Sequence, residues 1–142
     1  MIGAIIGKRK VRLQYDYLNR HATKAFMAGF AKDATFVYPG NVSASGEIKG
    51  KKAIEKWFHK FMEQFPKVNI TVKNIYIQNI FALGPTNVFA VEWDEAVTNK
   101  EGKSFQYSGV TTINIKRGKA TSVREYIFDN EVLKKAWGGK KR

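Results

Sequence analysis

The chain has 142 residues, is 44% hydrophobic and 13% aromatic, carries a formal net charge of +13, and contains no cysteine. That length fits one domain with a sizeable core, and the apolar content excludes wholesale disorder. Without cysteine there are no disulfides, thiolate metal sites or cysteine nucleophiles, and no stretch approaches the roughly 20 apolar residues of a membrane span.

Ile2, Ile5, Ile6, Leu13, Tyr17 and Leu18 fit the stripe of an amphipathic helix. Its apolar start precedes the basic Lys8-Arg9-Lys10, the reverse of a secretory signal, so a cytoplasmic protein is expected. A short second helix is expected over 22–30, then a strand at 35–38 stopped by Pro39-Gly40. Residues 41–50 read as a polar loop. Over 51–65, Ile54, Trp57, Phe58, Phe61, Met62 and Phe65 form a wide helical stripe closed by Pro66. Strands follow at about 69–83, 87–98, 104–116 and 120–128, separated by hairpin signals at Gly84-Pro85, Asn99-Lys100-Glu101-Gly102 and Arg117-Gly118. A short helix at 131–137 and a frayed basic tail at 138–142 complete a single domain spanning 1–137. Helices first and an antiparallel meander afterwards define an α+β fold in which the third helix covers one face of the sheet.

Carboxylates inside the strands are the most informative chemistry. Side chains alternate faces, so Val88, Ala90, Glu92 and Asp94 share one face and Phe89, Val91 and Trp93 the other, while Val123, Glu125 and Ile127 share a face in the last strand. A carboxylate among apolar neighbours is paired, protonated or lining a cavity. Glu92, Asp94 and Glu125 are therefore candidate catalytic acid/base groups, with Glu92 expected to be the most buried; pairing with Lys or Arg is the alternative. Tyr15, Tyr17, Tyr38, Trp57 and Phe61 are candidate walls of a ligand pocket, although plain core packing is the favoured reading for Trp57 and Phe61. Phe89, Val91, Trp93, Tyr126 and Phe128 lie opposite the carboxylates and form an apolar outer face that the helices leave uncovered, so a homodimer through it is expected, with Arg124 pairing there or with Asp129. His21 and His59 stand alone, so no metal site is expected, and no cofactor motif is present. The basic residues are spread along the chain without a recognition motif. They read as a solvated surface, with no specific nucleic-acid partner and no membrane partner, though charge alone gives weak, salt-sensitive polyanion binding.

The order of elements, with Lys32-Asp33-Ala34-Thr35-Phe36-Val37-Tyr38-Pro39 leading to Gly50-Lys51-Lys52-Ala53-Ile54, resembles the nuclear transport factor 2-like superfamily and, within it, the SnoaL-like branch. Val88-Phe89-Ala90-Val91-Glu92-Trp93, Ser108-Gly109-Val110, Gly118-Lys119 and Arg124-Glu125-Tyr126 extend the resemblance from about Arg12 to Asp129. The resemblance implies a cone, a curved antiparallel sheet wrapped around helices, with a pocket opening into its wide end. Ketosteroid-isomerase-like relatives place an Asp base where Tyr38 stands, an oxyanion-hole acid near Thr111 and a tyrosine near Gln14 and Tyr15, so that activity is not expected. Limonene-epoxide-hydrolase-like relatives place a tyrosine and an asparagine at Phe36 and Tyr38, an arginine at Glu92 and aspartates at Asp94 and Glu125. The arginine is thus reversed in sign. SnoaL-like cyclases use one acid/base carboxylate here, a role open to Asp94 or Glu125. The sequence as a whole reads as a cofactor-free protein whose role is either binding or acid/base conversion of a small apolar organic molecule, with Tyr38 orienting the ligand. The alternative is a non-catalytic interaction module with a basic surface for a polyanionic partner. Fold alone does not decide between them.

Overall fold

The computed structural model describes residues 2–81 and 84–139. Helix α1 (Ile2–Asn19) and the short α2 (Thr23–Met27) precede strand β1 (Phe30–Tyr38), an edge strand β2 (Gly46–Lys49) and helix α3 (Lys51–Gln64). Strands β3 (Lys67–Ile77), β4 (Thr86–Thr98), β5 (Ser104–Lys116) and β6 (Lys119–Ile127) follow, then helix α4 (Asn130–Ala136). The six strands form one curved, unclosed sheet in the order β2-β1-β6-β5-β4-β3. Helix α1 packs on β3, α3 on β1 and β2, and α4 on β5. Among the described residues no helix is long and apolar enough to cross a membrane.

The sheet is not wholly antiparallel, because β1 pairs parallel with β6 through Phe36–Val123 and Val37–Arg124. Strand β1 also starts earlier than the sequence pattern suggests, at Phe30, with an irregularity before Thr35. The expected loop at 41–50 contains β2, paired with β1 at Thr35–Lys49 and Val37–Glu47. This segment, Gly-Glu-Ile-Lys, has one apolar residue, so no alternation announces it. Strand β3 ends at Ile77, where Asn87 closes the connection by donating to Asn79 O (3.0 Å) and accepting from Asn79 N (3.1 Å). Residues 82 and 83, at the end of the longer strand expected from the sequence, lie outside the described residues, as do residues 140–142 of the expected tail.

Helix α3 buries Ile54, Trp57, Phe58 and Phe61. The rings continue one cluster into β1 and α4, with Trp57 stacked on Phe61 at 5.5 Å and packed against Phe36 and Tyr38 at 4.7 Å each. Trp137 closes the cluster against Phe65 at 5.1 Å. Two polar ends are satisfied within it: Trp57 Nε1 donates to Ala44 O (2.9 Å) and Trp137 Nε1 to the Tyr38 hydroxyl (3.0 Å).

The register of β4 corrects the face assignment. Phe89, Val91, Trp93, Glu95 and Val97 are the buried side chains, facing the helices. Glu92 and Asp94 share the outer face with Val88 and Ala90. The alternation holds, but the bulky stripe takes the core because it removes far more apolar area from water. Phe89, Val91 and Trp93 thus leave the proposed dimer face, where only Tyr126 and Phe128 of the five remain, Phe128 being 68% exposed. Across the ladder, Trp93 lies opposite Gly109, and its Nε1 donates to Thr111 Oγ1 (2.8 Å). A Cβ at residue 109 would meet both the indole and the carbonyl oxygen of Tyr126. Gly109→Ala is therefore expected to destabilise the fold by about 1–3 kcal/mol, read as a lower midpoint in urea unfolding with secondary structure retained.

Candidate functional site

Helix α1 covers the inner sheet face incompletely. Between it, α2, Phe58 of α3 and strands β4–β6 lies a cavity of about 380 Å³. Its wall is apolar, with Leu18, Phe26, Phe30, Phe36, Phe89 and Val123 prominent. Gln14, Tyr15, Thr111 and Glu125 supply the inner polar groups, and Lys10 and Asn87 also line the cavity. Gly7 and Gly29 let the walls close up, since a Cβ at residue 7 would strike the Phe89 ring and one at residue 29 the Gln14 amide. That amide donates instead to Phe26 O (2.9 Å), tying α1 to α2.

Glu125 is the one carboxylate lining the cavity among the described residues. Strand pairing sets it opposite Thr111, which lies opposite Val91 on the same inner face. Burial lifts its pKa from the ordinary 4.5 to about 8. A second acid stands further along the same concave surface. Glu95 is 7% exposed, and burial, reinforced by the charge of Glu125, lifts its pKa to about 8 as well. Neither glutamate has a cationic partner among the described residues. The hydroxyl of Tyr107, paired across from Glu95, lies close enough to Glu95 and Tyr38 to interact with them. Yet neither that hydroxyl nor Glu95 Oε1 has a well-formed hydrogen bond. Burial likewise raises the pKa values of Tyr15, Tyr38 and Tyr107, keeping these phenols neutral. The result is a polar seam from the cavity floor (Glu125, Thr111, Tyr15) into the interior (Glu95, Tyr107, Tyr38), enclosed by aromatic rings.

The sequence-predicted residues separate accordingly. Glu125 and Tyr15 line the cavity. Glu92 and Asp94 lie on the outer face, where Glu92 accepts from Asn74 (3.3 Å) and Tyr76 (3.4 Å), and Asp94 from Ser108 (2.6 Å) with Lys73 at 3.7 Å. They are not brought to the cavity, and Glu92 is not the deepest acid. Tyr38, Trp57 and Phe61 are buried in the aromatic cluster behind the wall, and none of the three lines the cavity. Tyr38 meets Trp137 rather than a carboxylate of β4 at hydrogen-bond distance. Arg124 is exposed on the outer face with its guanidinium over the Tyr126 ring at 5.6 Å, whereas Asp129 caps α4 by accepting from Val132 N (3.0 Å). His59 lies 3.9 Å from Glu55, and among the described residues no His, Asp and Glu cluster has metal-binding geometry. The group that sequence reasoning passed over is Glu95. Its signal was present, because it interrupts the bulky stripe Phe89, Val91, Trp93, Val97.

This fold, a curved sheet with a helix-covered cavity, is that of the nuclear transport factor 2-like and ketosteroid-isomerase-like proteins. Bal32a, from a soil-derived mobile gene cassette, superposes with a TM-score of 0.81 at 18% identity, covering 94% of this chain and 98% of its own. A nuclear transport factor 2-like protein of Burkholderia pseudomallei gives 0.77 at 16% identity, covering 94% and 98%. A protein of Catenulispora acidiphila with a ketosteroid isomerase-like fold, solved in complex with trimethylamine, gives 0.70 at 17%, covering 91% and 92%. No curated protein is significantly similar in sequence. Residues 11–123 match the SnoaL-like domain, and the chain belongs to that family.

The two acids make stability depend on pH. With their values raised in the folded state, the folded chain keeps protons that the unfolded chain releases between about pH 4.5 and 8. Stability is therefore greatest below that window, falls by up to about 1.4 kcal/mol per pH unit for each group within it, and levels off above. Glu95→Gln and Glu125→Gln should each flatten the slope and raise the melting temperature at alkaline pH, as thermal melts across the window will read.

Proposed function

We propose that the cavity binds one small, largely apolar organic molecule and that Glu125 exchanges a proton with it. The observation carrying this reading is Glu125, the one carboxyl lining the cavity among the described residues, whose pKa burial has moved to about 8. Such a group is mostly protonated at neutral pH yet releases its proton readily, which suits a general acid or base better than an ordinary carboxylate does. The volume and aromatic walls suit a compact hydrocarbon body, and Glu125, which has no ion pair among the described residues, favours a ligand that brings its own hydrogen-bond donor or amine. The Catenulispora protein's trimethylamine complex supports a small organic occupant in a fold of this kind. Tyr15 and Thr111 would orient the ligand's polar end, and Glu95 would take up or return the proton from behind the wall. Isomerase- and cyclase-type proton transfers fit this arrangement, which uses only side chains of this chain. Titration with the fluorescent apolar amine N-phenyl-1-naphthylamine tests it. Saturable binding at one site per chain is expected, weakened at least about tenfold by Ile113→Trp, which fills the cavity, with a pH dependence near pH 8 that Glu125→Gln removes. Binding indifferent to Ile113→Trp would refute the assignment.

We also infer that two copies associate through the outer sheet face, within a cytoplasmic setting. That face carries Val88, Ala90 and Val110 between the exposed rings of Tyr76 and Tyr126, with Glu92 and Arg124 available for reciprocal pairing. A two-fold contact would bury this apolar strip against itself. Sedimentation equilibrium should report a dimer that Val110→Glu dissociates; a wild-type monomer at high concentration would exclude it.

A further inference from the structure

Helix α1 carries two apolar stripes. One, Ala4, Val11, Tyr15 and Leu18, is buried against the sheet. The other faces water: Ile2 is 76% exposed and Ile5 59%, with Ile6 and Leu13 also exposed. Ile2, Ile6, Arg9 and Leu13 follow the i, i+4, i+7, i+11 spacing of one helical face. A helix end serving only the core has no use for these isoleucines. Their position is informative, because Gly3, Ile6 and Leu13 also line the cavity. The β3–β4 connection, whose Gly84 and Pro85 line that same cavity, exposes Ile80 and Phe81 as well. Two exposed apolar patches thus flank one opening.

The same exposed helix is also cationic, with Lys10 lining the cavity and Arg9 on the face of Ile2, Ile6 and Leu13. Lys8, Arg9, Lys10 and Arg12 lie on α1, and no acidic residue occurs before Asp16, which is held by Arg20 at 2.7 Å. Lys116 ends β5 and Arg117 opens the turn to β6, whose Gly118 lines the cavity. None of these six bases forms an ion pair among the described residues. Exposed isoleucine and phenylalanine ringed by uncompensated Lys and Arg match the chemistry of an anionic bilayer surface, with apolar groups entering the acyl boundary and cations meeting headgroups. Nucleic acid would use the cations but not the isoleucines. A second copy would bring an equally basic rim against this one. We propose that the α1 face and the cavity rim dock on an anionic lipid bilayer, with the cavity mouth turned toward it. The docking does not depend on which molecule the cavity holds. It revises the sequence expectation of no membrane partner, which rested on basic residues scattered along the chain; folding gathers two of those groups at one opening.

Flotation of the full chain with phosphatidylcholine vesicles, with and without phosphatidylglycerol, tests this. Binding is expected only with phosphatidylglycerol and should weaken with salt. Arg9→Glu with Arg12→Glu should lower the partition coefficient at least about 25-fold, at roughly fivefold for each lost cation. Ile2→Ser with Ile5→Ser, and separately Phe81→Ser in the connection, should each weaken binding about tenfold or more with unchanged circular dichroism. Lys100→Glu with Lys103→Glu, in the turn at the far end of β4, serves as the charge-matched control and should have the smaller effect. Failure of the wild type to float with phosphatidylglycerol overturns the proposal. So does equal binding by both apolar variants, which would leave only non-specific polyanion attraction, or a control as damaging as the α1 pair. An oligomer lost in the Ile2/Ile5 variant, without vesicle binding by the wild type, would assign the face to a second copy instead.

Discussion

Two glutamates on the concave face of a sheet, with no cationic partner among the described residues, set the terms for the rest of this molecule. Burying an ionised carboxylate without a partner is too costly, so Glu95 and Glu125 keep their protons to about pH 8. What surrounds them follows from that condition. Neutral phenols of Tyr15, Tyr38 and Tyr107 occupy the same interior, where a Lys or Arg would ionise the acids. The cavity leaves the Glu125 carboxyl on its lining, while Glu95 stays closed off behind it.

The scaffold holds this seam in place by contrasting its two sides. Helix α3, the neighbouring strand β1 and α4 form a packed aromatic block in which Trp57, Phe61 and Trp137 interlock and each buried indole nitrogen is satisfied. On the opposite side α1 meets the sheet only part way, through small contacts such as Gly7 against Phe89. Close packing on one side and an opening on the other place Glu125 where a rigid wall meets an accessible space. Trp93 joins the two, since its indole spans Gly109 and anchors Thr111, the cross-strand neighbour of Glu125.

Much of this was legible in the residues. The helical stripe of α3, the hairpin signals and the alternation of β4 and β6 gave the elements, and the inner placement of Glu125 followed from Val123 and Ile127 beside it. The assignment of β4 went astray because alternation defines two faces without saying which one is covered. Side-chain volume settles that: Phe89, Val91 and Trp93 outweigh Val88 and Ala90, and the strand turns them inward. Counting on in the same phase leads to Glu95 rather than Glu92. Other features had no local signal. Strand β2 is short, polar and defined by its partner, and the division of the aromatics between cavity wall and core depends on how far α1 stands off the sheet. Likewise, the gathering of basic groups at the cavity rim is a product of topology that separated stretches of sequence do not display.

The central claim is that Glu125 is a cavity carboxyl held protonated near neutral pH. The direct measurement is a carbon-13 NMR titration of glutamate-labelled protein, following the side-chain carboxyl resonances, with Glu125→Gln and Glu95→Gln providing assignment. Two resonances titrating near pH 8, one absent from each variant, with the Glu125 signal alone responding to a cavity ligand, is the predicted result. If the Glu125 resonance instead titrates near the ordinary carboxylate value of about 4.3, the acid is already ionised at neutral pH, and the proton-transfer account is contradicted.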